Sequence, residues 1–180
     1  PDGRSVAFLR DALTSVFLGA TIQILELDSG ALRGVSPPMF GPSAPAWSPD
    51  GSSLAVYHRA PSNSRFREGV NLVRLLAADG EGTGRFVSPV DGASLGRRQF
   101  NRPAWSRRGE FVYRFDGGLW LAPLDPDGTF GPARMIAAVG ENPAWTGDGD
   151  RLVYLEGGRL TVFDRSTGRT RRLGLEPDWQ

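Results

Sequence analysis

A seven-residue phrase, Pro45-Ala46-Trp47-Ser48-Pro49-Asp50-Gly51, returns as Pro103-Ala104-Trp105-Ser106-Arg107-Arg108-Gly109 and as Pro143-Ala144-Trp145-Thr146-Gly147-Asp148-Gly149. Each copy leads into an apolar run ending at or near a Tyr: Leu54-Ala55-Val56-Tyr57, Phe111-Val112-Tyr113 and Leu152-Val153-Tyr154. The chain opens on the second half of the same unit, Pro1-Asp2-Gly3 then Val6-Ala7-Phe8-Leu9, and closes on its first half, Pro177-Asp178-Trp179. Four units follow, at about 1–44, 45–102, 103–142 and 143–180. A chain of such units is bound to stack them, because one supersecondary unit cannot bury its apolar faces alone.

The repeat Trp residues fall at 47, 105, 145 and 179, spacings of 58, 40 and 34, around the roughly 40 to 50 residues of a four-stranded propeller blade. The reading inside a unit is strand A around the Trp, a turn at Pro-Asp-Gly, strand B through the Tyr, then strands C and D. Thr21 to Leu27 alternates with period two, as a half-buried strand C does. In the turns, Pro pre-sets φ, Asp bonds the local backbone and Gly takes the position with positive φ. Asp116-Gly117-Gly118 and Glu156-Gly157-Gly158 predict tight B–C hairpins; the first two units carry longer connections, about 10–20 and 58–70. Asp28-Ser29-Gly30, Asp79-Gly80, Asp127-Gly128 and Ser166-Thr167-Gly168 predict C–D hairpins. The 24 Gly and 14 Pro suit this many short elements. The best helical pattern, Ala12 to Leu27, yields to its β-branched content.

Composition closes several function classes. Zero Cys removes disulfides, zinc ribbons and thiol nucleophiles, and the single His, His58, leaves no His-rich metal cluster. All 21 basic residues are Arg, against 20 acidic ones, so no one-sided field favours nucleic acid. No run of 18 apolar residues suggests membrane insertion.

The Pro-Ala-Trp-Ser-Pro-Asp-Gly phrase, followed by an apolar strand, resembles the WD40-like repeat of TolB-like β-propellers. Similar repeats occur in propellers fused to amidohydrolases and in prolyl-oligopeptidase-type and dipeptidyl-peptidase-type serine peptidases. The resemblance implies an all-β propeller of about four four-stranded blades, a fragment of a six- to eight-bladed one. The alternative is four-bladed closure, with Trp179-Gln180 pairing as strand A of the blade begun at Pro1. An open arc leaves blade faces and strand edges in water, so the chain alone is expected to associate and flanking sequence to relieve it. Export to the periplasm or cell exterior is a further implication of the resemblance.

Motifs with chemical potential read mostly as turns. Gly92-Ala93-Ser94-Leu95-Gly96 matches a nucleophile elbow in letters, but the only His precedes the Ser, and the segment sits in a Gly-rich connection. Asp125-Pro126-Asp127-Gly128 lacks the further ligands of a calcium loop. Asp148 and Asp150 read as turn residues, and His58 as a rim residue. Arg97, Arg98, Arg102, Arg107 and Arg108 lie near Phe100 and Trp105, yet strand pleating would scatter them over different faces. The Trp and Tyr rows read as packing between blades, not as an exposed platform.

Strand A is innermost in a propeller, so residues leading into it line the axial channel. Here these are Asn101, Arg102, Glu141, Asn142 and Glu176, mixed in sign as a zwitterionic or peptide ligand requires. The long connection bearing Arg65 and Arg67 around Phe66 is the next candidate. The function expected is a non-catalytic module for protein or peptide interaction, or one gating a neighbouring catalytic domain. It has no catalytic residues, metal or cofactor of its own. The alternative is the propeller part of a larger hydrolase, an amidohydrolase or serine peptidase, whose active site lies outside this segment.

Overall fold

A computed structural model describes residues 2–10, 19–39, 42–59, 71–90, 95 and 102–174. Every element is a strand, and the strands form four successive antiparallel sheets, the blades of a β-propeller. The first blade holds β1 (Ser5–Arg10), β2 (Thr21–Glu26) and β3 (Leu32–Gly34). The second holds β4 (Ala46–Trp47), β5 (Ser53–Arg59), β6 (Asn71–Ala77) and β7 (Arg85–Val87). The third holds β8 (Ala104–Trp105), β9 (Glu110–Phe115), β10 (Gly118–Pro123) and β11 (Arg134–Ala137). The fourth holds β12 (Glu141–Trp145), β13 (Arg151–Glu156), β14 (Arg159–Asp164) and β15 (Thr170–Arg172). The expected four-stranded blade is thus met in three sheets, while the first shows three strands among the described residues. Trp179 and Gln180, the segment suggested to complete it, lie outside them, as do the connections 11–18 and 60–70.

The A–B turn repeats almost atom for atom. Gly51, Gly109 and Gly149 have φ of 75°, 82° and 74°, a region that only Gly enters without steric cost. Each donates its N–H to the carbonyl of the residue three before it, Ser48, Ser106 or Thr146, at 2.8–3.1 Å. The hydroxyl of that residue then ties the corner. Ser48 Oγ donates to Asp50 Oδ1 at 2.6 Å, as Thr146 Oγ1 does to Asp148 Oδ1 at 2.5 Å. These hydroxyls hold both carboxyls below the usual carboxylate range. In the middle copy Arg108 stands where the Asp would be, and Ser106 Oγ instead accepts the Arg108 and Glu110 amides.

The B–C hairpins differ from one another by one residue. The two-residue turn is Asp116-Gly117 in the third blade and Gly157-Gly158 in the fourth, all with positive φ. Gly118 is therefore a strand residue, paired with Phe115. Its glycine is required by space: a Cβ there would lie 2.8 Å from the Ala137 carbonyl oxygen.

Packing is between blades. Three buried clusters occupy the three junctions. Ile22, Ile24, Leu54 and Val56 fill the first, Tyr57, Leu75, Phe111 and Tyr113 the second, and Val112, Leu121, Leu152 and Tyr154 the third. Trp47, Trp105 and Trp145 each join the cluster on the side of the preceding blade. Trp105 is buried, whereas Trp47 and Trp145 are half-buried.

Strand register makes the pattern periodic. On the face turned toward the following blade, one row crosses each sheet: Ala46–Ala55–Leu75–Arg85, Ala104–Val112–Leu121–Arg134 and Ala144–Val153–Val162–Arg171. The first blade carries its part as Ala7–Ile24–Arg33. Every described row ends in an Arg on strand D. Arg33 Nη1 donates to the Ala78 carbonyl of the second blade, and Arg85 Nη2 to the Pro126 carbonyl of the third at 3.1 Å. Arg134 places its guanidinium carbon 5.4 Å from the Phe163 ring centroid of the fourth. A charged side chain at the sheet edge thus lies across the next blade, its stem covering apolar surface and its head meeting an acceptor or a ring.

Candidate functional site

The innermost strands have two ends, and polar groups gather at both. At the start of strand A in the fourth blade the register slips between Glu141 and Ala144, a β-bulge in which Asn142 takes φ 51°. Asn enters that conformation more readily than most residues other than Gly. Exposed Glu141 pairs with Arg114 of the third blade, Oε1 to Nη2, at 3.6 Å. The Arg114 amide in turn donates to the Tyr57 hydroxyl of the second blade at 3.2 Å. Arg102 is exposed just before β8, and no ion pair joins it to Glu141 among the described residues. Asn101, Glu176, Arg65 and Arg67 lie outside the described residues. Arg114 was not singled out from the sequence; its signal is a charged residue directly after the repeat Tyr.

Two concavities lie at the opposite end, beside the A–B turns. A cleft of about 550 Å³ is walled by Asp2 and Arg33 of the first blade, Trp47, Pro49 and Asp50 of the second, and Arg107 of the third. A smaller hollow of about 200 Å³ continues from it along Trp47, Pro49, Trp105, Arg107 and Trp145. Two carboxylates and two guanidiniums therefore surround an indole. Asp50 is kept ionised by the Ser48 hydroxyl and the Ser52 amide, and Asp2 by the Arg4 amide. Arg33 is oriented by the Ala78 carbonyl and sits 3.8 Å from Glu26. Such a surface can hold an extended backbone or paired opposite charges against an apolar wall.

The remaining motifs resolve into structure. Asp125-Pro126-Asp127-Gly128 is a hairpin: the Asp125 amide donates to the Thr129 carbonyl at 3.0 Å, and Asp127 Oδ1 accepts the Thr129 amide at 2.9 Å. Asp148 accepts the Asp150 amide, and Asp150 pairs with Arg108 across the third junction at 2.8 Å. Arg102 and the Arg107–Arg108 pair stand at opposite ends of β8. Ser94 and the Gly residues beside it lie outside the described residues, while Leu95 is buried in the second junction. His58, expected at the rim, is tied to its own blade. Arg74 Nη1 lies 3.1 Å from its Nδ1, and its ring stacks on Phe86 at 5.7 Å. Burial, with the Arg74 cation beside it, holds the imidazole down at about 4. At neutral pH it is uncharged and accepts the Arg74 hydrogen bond. Among the described residues no group of His, Asp and Glu is arranged to hold a metal ion, and no helix is long and apolar enough to cross a membrane.

No protein-family profile matches the chain, and no curated protein does. Solved structures do match it. TolB from Acinetobacter baumannii is similar over 96% of this chain and 42% of its own, at 18% identity and a TM-score of 0.62. A putative TolB from Agrobacterium tumefaciens is similar over 96% and 61%, at 18% identity and 0.65. A puromycin-hydrolyzing peptidase from Mycobacterium tuberculosis is similar over 97% and 28%, at 21% identity and 0.62. This chain thus spans less than two thirds of the length of each. At these identities the likeness establishes the β-propeller fold.

Proposed function

We propose that the chain is a non-catalytic propeller module that holds a protein or peptide segment, or gates a catalytic domain beside it. The observation that carries this reading is the cleft at the A–B turns, where Asp2 and Asp50 face Arg33 and Arg107 around Trp47. An extended peptide offers what that surface can use: backbone carbonyls and carboxylates for the guanidiniums, amides or cationic side chains for the carboxylates, and an apolar side chain for the indole. The residues read from the sequence as leading into the inner strands, Asn101, Arg102, Glu141, Asn142 and Glu176, are proposed as a second line of contact, and Arg65 and Arg67 as a third. The TolB-like repeat supports a place in the periplasm or outside the cell.

The test is a selection of phage-displayed random 12-residue peptides on the immobilised chain. Enriched peptides should lose at least tenfold in affinity, about 1.4 kcal/mol, when Arg107→Glu reverses one wall, and should be unaffected by Arg159→Glu on the exposed surface of the fourth blade. Peptides indifferent to both Arg107→Glu and Arg102→Glu would defeat the reading.

The likeness to the puromycin-hydrolyzing peptidase favours a second reading, in which these blades belong to a larger hydrolase. Its active site would then lie outside these residues. Hydrolysis of a chromogenic aminoacyl amide by a longer polypeptide carrying this segment, and not by the segment, would support it.

A further inference from the structure

Asp followed by Gly is open to attack by its own backbone, because no Cβ keeps the Gly amide nitrogen from the Asp side-chain carbonyl carbon. The chain carries seven such pairs, of which six lie among the described residues and one, Asp91-Gly92, outside them. In five of the six the fold ties the carboxylate down. Oδ1 of Asp2, Asp50, Asp79, Asp127 and Asp148 each accepts the amide two residues further on, at 2.9–3.1 Å. Four of the glycines are held as well: the amides of Gly51, Gly80, Gly128 and Gly149 donate to the carbonyl three residues back, at 2.8–3.1 Å.

The sixth pair, Asp116-Gly117, has neither restraint. It is the two-residue turn between β9 and β10, with φ of 48° and 82°, and both residues are exposed. A turn with positive φ at both positions favours Asp-Gly, so the geometry that selects this pair also presents it to water. Among the described residues the Asp116 carboxylate meets no donor or cation, and the Gly117 amide donates to no carbonyl. Apart from its chain neighbours, nothing lies within 4 Å of where a Gly117 Cβ would stand.

We propose that Asp116-Gly117 is the site at which this folded chain rearranges to isoaspartate. The Gly117 nitrogen bonds to Asp116 Cγ, the carboxyl OH leaves as water with the amide proton, and a succinimide closes. Water then adds to the Asp116 main-chain carbonyl carbon, and that carbon's bond to the Gly117 nitrogen breaks as the nitrogen takes up a proton. The chain now runs through Cβ and Cγ, with the old main-chain carbonyl as a free carboxylate; one water is lost and one regained, and nothing is oxidised. The reacting carboxyl is the protonated form, since an ionised one lacks a leaving group. The Ser48 and Thr146 hydroxyls hold Asp50 and Asp148 below the usual carboxylate range, and the Thr129 amide holds Asp127 there, which protects those pairs a second time. The product adds a backbone carbon to a two-residue turn, for which the Phe115–Gly118 pairing has no slack. The closed end of the hairpin therefore opens beside Arg114, whose amide meets Tyr57.

Trypsin supplies an internal control, because residues 115–134 form one peptide holding both Asp116-Gly117 and the restrained Asp127-Gly128. The 180-residue chain, shown to be folded by circular dichroism, is kept for weeks at mildly acidic pH beside a sample unfolded in guanidinium chloride. Electron-transfer fragmentation of the peptide then locates isoaspartate. In the folded chain it should build up at 116 at least about tenfold faster than at 127, a barrier difference of about 1.4 kcal/mol. In the unfolded chain the two rates should draw together, since both pairs are then free. Equal rates in the folded chain, faster conversion at 127, or none at 116 while the unfolded chain reacts at both would overturn the proposal.

Discussion

Replacing Trp105 by Ala should cost about 3–5 kcal/mol of unfolding free energy, the range for emptying a buried Trp site, read as a lowered midpoint in urea. Trp105 is 8% exposed and belongs to the second junction, where its ring meets Phe111 edge-on at 5.7 Å. Removing it opens a cavity between blades whose cores consist of such contacts. The companion Trp47→Ala should cost less, about 1–2 kcal/mol, because Trp47 is half-buried and borders the cleft. Trp105→Phe refills much of the space and removes a buried indole N–H that has no acceptor among the described residues, so it should fall well below the Ala cost. Equal losses at 47 and 105 would mean that the indoles are not graded by burial between sheets.

Gly84→Ala should be nearly as damaging, at about 2–4 kcal/mol, combining the penalty of a left-handed backbone with that of overpacking. Gly84 has φ 75°, and a Cβ there would lie 2.4 Å from the Leu75 carbonyl oxygen and 2.7 Å from Leu76 Cδ2. The first obstacle is backbone of the adjacent strand and cannot turn aside. Gly82→Ala, two residues earlier with φ 74° and open space around it, isolates the conformational part and should cost about 1–2 kcal/mol. If thermal or urea unfolding ranks the two variants the other way, the approach of the hairpin to β6 is wrongly drawn.

Much of the fold was legible in the sequence because its constraints are local. The turn Gly must sit at a fixed offset from the Trp, since the two are joined by one tight corner, and the alternation of Thr21 to Glu26 follows from one strand lying half-buried. The Arg row was not legible. Arg85, Arg134 and Arg171 follow their Trp by 38, 29 and 26 residues, because hairpins and connections of different length intervene before strand D. Only strand register lines them up. Asp116-Gly117-Gly118 predicts a tight hairpin but not which two residues turn; register makes them Asp116-Gly117, and Gly118 answers to the nearby Ala137 carbonyl and not to φ.

The two ends of the inner strands differ in how much of their polar surroundings shows in the sequence. Glu141 was chosen as a residue leading into an inner strand, and its partner Arg114 comes from strand B of the blade before. The cleft by the A–B turns draws Asp2, Arg33, Asp50 and Arg107 from three blades. Two of these read in the sequence as turn residues, and the grouping arises only when neighbouring turns are stacked side by side.

The stacking of successive sheets can be read directly from one contact, that between the Tyr57 side chain and the Arg114 amide, 57 residues apart and on consecutive blades. In an isotope-labelled sample, a nuclear Overhauser effect should connect the Tyr57 ring protons to the Arg114 amide proton, and Tyr57→Phe should speed hydrogen exchange at that amide. Absence of the cross-peak, with Arg114 exchanging at the same rate in both proteins, would contradict the packing of the second blade on the third and the blade order built upon it.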